Sequence, residues 1–216
     1  MRPSADVIYE DEHLLVLNKP SGLLTEGGGD REDDLEQVAT RHIGKPAFCC
    51  HRLDRLTSGV VLLRKNGRYK AELAALFEKR QIRKLYWALV EGEWPTQLRR
   101  IETQVGPVGS GVWAHVESGG KPAISTFQIL GKSKELNLSW LNVLLKTGRT
   151  HQARIHCLKG GCPIIGDPVY GSKKPADLFG LHARELRFRH PVTNEDLELI
   201  APPSHSWDDT LASLNR

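Results

Sequence analysis

The sequence has no apolar stretch near eighteen residues and no charged-then-apolar leader, so it offers neither a membrane-spanning helix nor an export signal. Cysteine is scarce and poorly spaced for metal. Cys49 and Cys50 are adjacent, and Cys157 and Cys162 leave four residues between them that include Gly160-Gly161. Neither pair forms a usual structural zinc knuckle, even with His51 and His156 close by, and the expectation is reduced thiols in a cytoplasmic protein with no metal. Internal repeats, low-complexity tracts and a convincing linker are also missing. At 216 residues and 39% hydrophobic the chain suits one good core, which predicts a single domain over residues 1–216. The net formal charge of +4 is too mild to name a partner.

The distribution of charge says more. Residues 1 to 36 hold ten acidic side chains against Arg2, Lys19 and Arg31, whereas residues 41 to 84 hold twelve basic ones against Asp54, Glu72 and Glu78. The span from Lys146 to Arg189 is basic as well. Two basic stretches joined into one positive face would suit a phosphate backbone; two solvated helix faces would carry the same residues.

Strand patterns outnumber helical ones. Residues 7–9 and 14–17 flank an acidic turn and read as a hairpin, with Pro20-Ser21-Gly22 breaking the chain behind it. The periodicity predicts a short helix over 35–41 and a better one capped by Asn66, with Tyr69, Leu73, Leu76 and Phe77 on one face, to about Lys79. Residues 82–90, 124–130 and 136–145 have strand character, and the glycine-rich stretch 105–122 reads as a loop or loose hairpin. A last helix is predicted over 153–158, capped by Thr150 and stopped at Gly160-Gly161. The sum is an α+β fold around a mixed, mainly antiparallel sheet with flanking helices and loops.

Residues 51 to 59 read His-Arg-Leu-Asp-Arg-Leu-Thr-Ser-Gly. They set one carboxylate, Asp54, between Arg52 and Arg55, and nearby cations keep a carboxylate ionised and able to attack an electron-poor carbon. Val60-Val61-Leu62-Leu63 follows as a strand, and a reactive side chain on a loop feeding a rigid strand is well held. Taken alone, the string also fits an ordinary loop with a solvated aspartate. Four further strings accompany it: residues 7–23 with Asn18-Lys19-Pro20-Ser21-Gly22; Lys84-Leu-Tyr-Trp-Ala-Leu-Val-Glu-Gly92; Gly148-Arg-Thr-His-Gln-Ala-Arg-Ile-His156; and Cys162-Pro-Ile-Ile-Gly-Asp-Pro-Val-Tyr-Gly171. Leu181-His-Ala183 and Phe188-Arg-His-Pro191 complete the set. In this order they resemble the RluA-type pseudouridine synthases of the RluA/RsuA superfamily, which isomerise uridine in structured RNA.

The resemblance implies the same α+β fold and a reaction that breaks a carbon–nitrogen glycosidic bond, turns the uracil and rejoins it through ring carbon 5. No redox step is needed and no cofactor is expected. On this basis Asp54 matches the catalytic aspartate, Tyr86 the tyrosine that stacks on the base and is a candidate for the final proton removal, and Arg154 the arginine that pairs with the aspartate. Arg52 matches the arginine that fills the space left by a flipped uridine and touches phosphate. Arg55, Lys19, Arg149, His151 and Gln152 are the other candidates for substrate contact. Two readings stay open for several of them. Lys19 is either structural or a phosphate contact; His151, Gln152 and His156 are packing partners or direct RNA contacts; His51, Thr57 and Ser58 shape the loop.

The implied partner is RNA, ribosomal or transfer, with no membrane, no obligatory protein partner and monomer as the default state. Many relatives carry a small basic headpiece before the catalytic domain, whereas this chain starts almost at the first strand. Arg64-Lys65 replaces a common Ala-Lys, and Ala153 a larger aliphatic residue. The acidic segment 26–36 has no evident counterpart; it either repels wrong RNAs or is a solvated loop. A nucleoside or glycoside hydrolase would use Asp54 too but lacks a placed second acid. An RNA-binding module with a lapsed site has no reason to keep Asp54, Tyr86 and Arg154 together.

Overall fold

A computed structural model describes residues 3–28, 33–109, 111–171 and 177–214. In chain order its elements are β1 (Asp6–Glu10), β2 (Leu14–Lys19), α1 (Leu35–Ile43), β3 (Phe48–Cys49), β4 (Ser58–Arg64), α2 (Lys70–Glu78), β5 (Arg83–Glu91), β6 (Arg100–Gly109) and β7 (Val112–His115). There follow β8 (Lys121–Ser133), β9 (Leu138–Leu145), α3 (Gln152–Lys159), β10 (Leu181–Arg189), β11 (Asp196–Ile200) and α4 (His205–Leu214). The chain folds as two compact units, residues 1–84 with 182–203 and residues 85–181 with 204–216. Pairing is mixed and mainly antiparallel, so the α+β expectation holds.

In the first unit β2 lies antiparallel to both β1 and β4. Leu14 to Leu17 and Val60 to Leu63 are almost wholly buried, which is why these strands read as unbroken apolar runs instead of alternating ones. β4 also pairs in parallel with β10 at Ser58 and Gly59, and β10 pairs antiparallel with β11. α1 is capped at both ends and runs two residues past the expected Arg41. Asp34 accepts the Gln37 N–H at 2.9 Å, and Gly44 ends the helix at φ 70°. α2 begins later than expected, at Lys70, because the Asn66 carboxamide accepts the Arg68 N–H (2.9 Å) in a local turn and is spent before the helix starts.

The second unit runs β5 beside β9, with β9, β8 and β6 antiparallel and β7 folded back on β6. The stretch read as a loop or loose hairpin is a hairpin whose first strand already begins at Arg100. Ile101, Thr103 and Val105 point inward while Glu102 and Gln104 are exposed; a threonine in the inward set mutes the period-two signal. One apolar cluster joins Leu89, Leu138, Ile165 and Trp207 of α4, and another joins Val105, Ala123, Ile155 and Tyr170. α3 starts from His151 at φ 56°, not from a Thr150 cap, and Gln152 to Cys157 are buried on every side. Among the described residues no helix is long and apolar enough to cross a membrane.

Candidate active site

Asp54 sits on the loop between β3 and β4, half-buried between buried Leu53 and exposed Arg55. Segment 19–25, which begins at the last residue of β2, grips this loop on both sides of the carboxylate. Before it, the buried Thr25 hydroxyl donates to the Leu53 carbonyl at 2.8 Å and accepts the Leu53 N–H at 3.2 Å. After it, the Arg55 carbonyl accepts the Gly22 N–H at 2.9 Å and the Lys19 ammonium at 3.0 Å. The Ser21 hydroxyl donates to the Leu56 carbonyl at 2.6 Å, and the Thr57 N–H closes a turn onto the Asp54 carbonyl at 3.0 Å. Backbone held from both ends gives a side chain a fixed origin.

Lys19 is fully buried. Its three N–H donors meet three carbonyls, those of Pro20 (3.1 Å), Leu23 (2.7 Å) and Arg55 (3.0 Å). Burial pushes the amine down to about 7, Asp54 pulls it back up and Arg55 lowers it; three carbonyl acceptors for three donors match the ammonium form. Arg55 is exposed and donates from Nε to the Gly22 carbonyl at 3.1 Å. Arg52 is exposed as well, its guanidinium 3.3 Å from Glu26 of the acidic segment. His51 accepts the Leu62 N–H at 3.1 Å and lies against Phe77, and burial, aided by Lys84, pushes it down to about 3. It is a neutral acceptor that braces β4.

In the second unit Tyr86 is buried on β5. Arg154, on α3, makes a buried two-pronged contact with Asp167: Nε to Oδ2 at 2.8 Å and Nη2 to Oδ1 at 2.9 Å. Burial alone would raise the Asp167 carboxyl, but the Arg154 hydrogen bonds and the N–H groups of Val169 and Tyr170 hold it below its usual range. The guanidinium carbon also stands 4.8 Å from the Tyr170 ring centre and 5.4 Å from that of Phe179. His151 meets the Tyr170 hydroxyl at 2.7 Å, and that hydroxyl donates to the Trp113 carbonyl at 2.8 Å. His151 Nδ1 therefore carries the proton.

Gln152 is buried with every polar group engaged. Its oxygen accepts from Thr147 (2.6 Å) and from the Arg149 N–H (3.0 Å), and its nitrogen donates to the Ile124 carbonyl and the Ser125 hydroxyl, both at 3.0 Å. Arg149 donates to the Pro122 carbonyl at 3.0 Å. His156 bridges Ser125 (2.8 Å) and Thr103 (3.0 Å) and is pushed down to about 4 by burial, then by Lys159 and His115. These contacts bind the Gly148–His156 string to β6 and β8. Burial raises all four thiols, so none is a ready nucleophile. Among the described residues no group of three or more His, Cys, Asp or Glu is placed to hold a metal ion.

The sequence profile described as RNA pseudouridylate synthase matches residues 13–159. The chain belongs to this family. The Vibrio vulnificus protein named ribosomal large subunit pseudouridine synthase C is 34% identical over 218 residues, which cover 96% of this chain and 69% of the relative. A Pasteurella multocida protein named dual-specificity RNA pseudouridine synthase RluA is 34% identical over 216 residues, 94% of each chain. The solved structure of human RNA pseudouridylate synthase domain containing 4 superposes with a TM-score of 0.78 at 26% identity, covering 97% of this chain and 92% of that one.

In this pseudouridine synthase the first unit assembles Lys19, Arg52, Asp54 and Arg55 around one loop, and the second places Arg149, His151, Gln152 and Arg154 along one string, with Tyr86 on β5. Sequence reasoning missed Thr25, Ser21 and Asp167. Asp167 lies inside a recognised string and had a visible signal, a carboxylate in Gly166-Asp167-Pro168 with no local cation. Thr25 had none, since its value comes from reaching a residue 28 positions away.

Proposed function

We propose that the enzyme converts uridine to pseudouridine in ribosomal or transfer RNA, with Asp54 as the reacting carboxylate. The observation that carries this is the two-sided grip on the Asp54 loop, which fixes the backbone while the residue itself keeps some exposure. The relatives named above are, by their names, a ribosomal large subunit synthase and a dual-specificity RNA synthase, which supports RNA, ribosomal RNA included, as the substrate.

The chemistry balances within the substrate. The bond from N1 of uracil to C1′ of ribose breaks, the ring turns, the bond from C5 to C1′ forms, and C5 loses the proton that N1 gains. Asp54 supplies the carboxylate that carries the detached sugar or base through the turn, and Arg154, its guanidinium held by Asp167, lends its positive charge to the same chemistry. Tyr86 stacks on the uracil and takes the C5 proton. Arg52 stands in for the flipped uridine and meets phosphate, displacing Glu26 to do so. Arg55, Arg149 and His151 contribute contacts to RNA, while Lys19 and Gln152 serve by shaping the loops that present them. Exposed Arg41, Lys45, Arg68, Lys70, Lys79, Arg80 and Arg83 supply the positive surface that RNA binding needs. The chain acts as one catalytic domain, monomeric and cytoplasmic.

The test is to delete the gene and map pseudouridine across ribosomal and transfer RNA by chemical probing. Specific positions should disappear and return with the intact gene; an unchanged map overturns the proposal.

A further inference from the structure

The loop that carries Asp54 ends in Ser58-Gly59, and its far end is fastened to β10 by contacts that the reaction scheme does not use. Ser58 and Gly59 pair in parallel with His182 and Ala183. The approach is so close that a Cβ on Gly59, which holds φ +114°, would fall 2.2 Å from the Ala183 carbonyl oxygen. At the same register the Ser58 hydroxyl lies 2.9 Å from His182 Nδ1, and His182 Nε2 lies 3.0 Å from the Ala201 carbonyl. Ala201 is itself fixed, its N–H donating to the Arg184 carbonyl at 2.9 Å.

The direction of this chain of hydrogen bonds follows from its ends. A carbonyl accepts only, so His182 Nε2 carries the hydrogen. His182 is 1% exposed, and burial, with Arg184 adding and the Ala201 carbonyl opposing, pushes it down to about 4. A neutral imidazole has one N–H, so Nδ1 is an acceptor and Ser58 is the donor. The Thr25 hydroxyl fixes the loop immediately before Asp54, and the His182 ring fixes it four residues after.

We propose that His182 is a positioning residue for the isomerisation. By accepting the Ser58 hydroxyl hydrogen it sets the exit of the catalytic loop, and so the direction in which Asp54 presents its carboxylate. This rests on Asp54 being the reacting group. Replacing His182 leaves the RNA surface intact, so the effect belongs to the chemical step and not to RNA affinity.

The test uses the full chain and total RNA from a strain lacking the gene, and reads pseudouridine formed at saturating enzyme together with the enzyme concentration for half-saturation. Ser58→Ala and His182→Gln, which lacks an acceptor where Nδ1 stands, should each lower the saturated rate about tenfold with half-saturation unchanged. His182→Asn, whose carboxamide oxygen replaces the Nδ1 acceptor, should stay within about threefold of the parent. A purely structural role would cost both His182 variants alike and spare the rate of Ser58→Ala. A Ser58→Ala rate equal to the parent's, or His182→Asn no better than His182→Gln, overturns the inference; Ser58→Ala tests it even if both His182 variants fail to fold. Asp54→Asn run alongside separates the two claims. If it is inactive while Ser58→Ala is at full rate, only the His182 inference falls; if it is active, the role of Asp54 falls.

Discussion

Thr25→Val removes one oxygen from the grip on the catalytic loop and leaves the volume almost unchanged. The Thr25 hydroxyl serves both polar groups of Leu53, at 2.8 Å to the carbonyl and 3.2 Å from the N–H, and both residues are buried. Valine takes away that partner from two buried groups, each worth roughly 1–3 kcal/mol when left unsatisfied. The expected loss is about 3 kcal/mol, a large part of the ~5–15 kcal/mol that holds a domain together. For a chain of this size it lowers the melting midpoint by roughly 6–12 °C. Urea and thermal unfolding of parent, Thr25→Val and Thr25→Ser check it, with serine expected to restore most of the loss because it keeps the hydroxyl. Pseudouridine formation by the folded valine variant should fall as well, since the backbone before Asp54 loses its anchor. A valine variant within about 0.5 kcal/mol of the parent, the range of a neutral surface change, refutes the reasoning.

Three other outcomes are expected. Arg154→Ala strips the buried Asp167 carboxylate of its bidentate partner, so stability should drop by about 3–5 kcal/mol, read by denaturant unfolding; a drop under ~1 kcal/mol contradicts the pairing. His51, His156 and His182 are depressed to about 3, 4 and 4 respectively, so the unfolded chain binds protons that the folded one refuses, and stability falls as pH drops from about 6.5 toward 4. The change in urea midpoint with pH measures it, and a flat profile over that window would remove the claim that these rings are buried neutral. Affinity for RNA should fall steeply with salt, and Glu26→Gln should raise it by no more than about fivefold, as befits an exposed pair with Arg52; a salt-independent affinity would end the case for a basic RNA surface.

What could be read in advance divides along physical lines. β2 and β4 were visible as apolar runs because burial on both faces leaves no choice of residue type, whereas α1, expected over 35–41, runs on to Ile43 before Gly44 ends it in a left-handed position. The starts of α2 and α3 were misread for one reason. Asn66 and Thr150 look like caps, yet Asn66 turns onto its own neighbour and α3 is launched by Gln152 holding the Arg149 N–H. Both outcomes depend on competition between hydrogen bonds that local pattern does not rank. The candidate site shows the same split. Asp54, Arg52 and Arg55 stand in one string and were found together, whereas Lys19 was ambiguous until three carbonyls were seen around its ammonium. Arg154 also holds Asp167, a pairing 13 residues apart that no periodicity marks. Thr25 and His182 reach residues far away in sequence, and only folding brings their value into view.

The central claim concerns Asp54, and single-turnover isomerisation by Asp54→Asn tests it most directly. With total RNA from the deletion strain and excess enzyme, the variant should bind RNA within a few-fold of the parent and form no pseudouridine at positions the parent modifies. Product accumulating at those positions at a substantial fraction of the parent's rate would contradict the account.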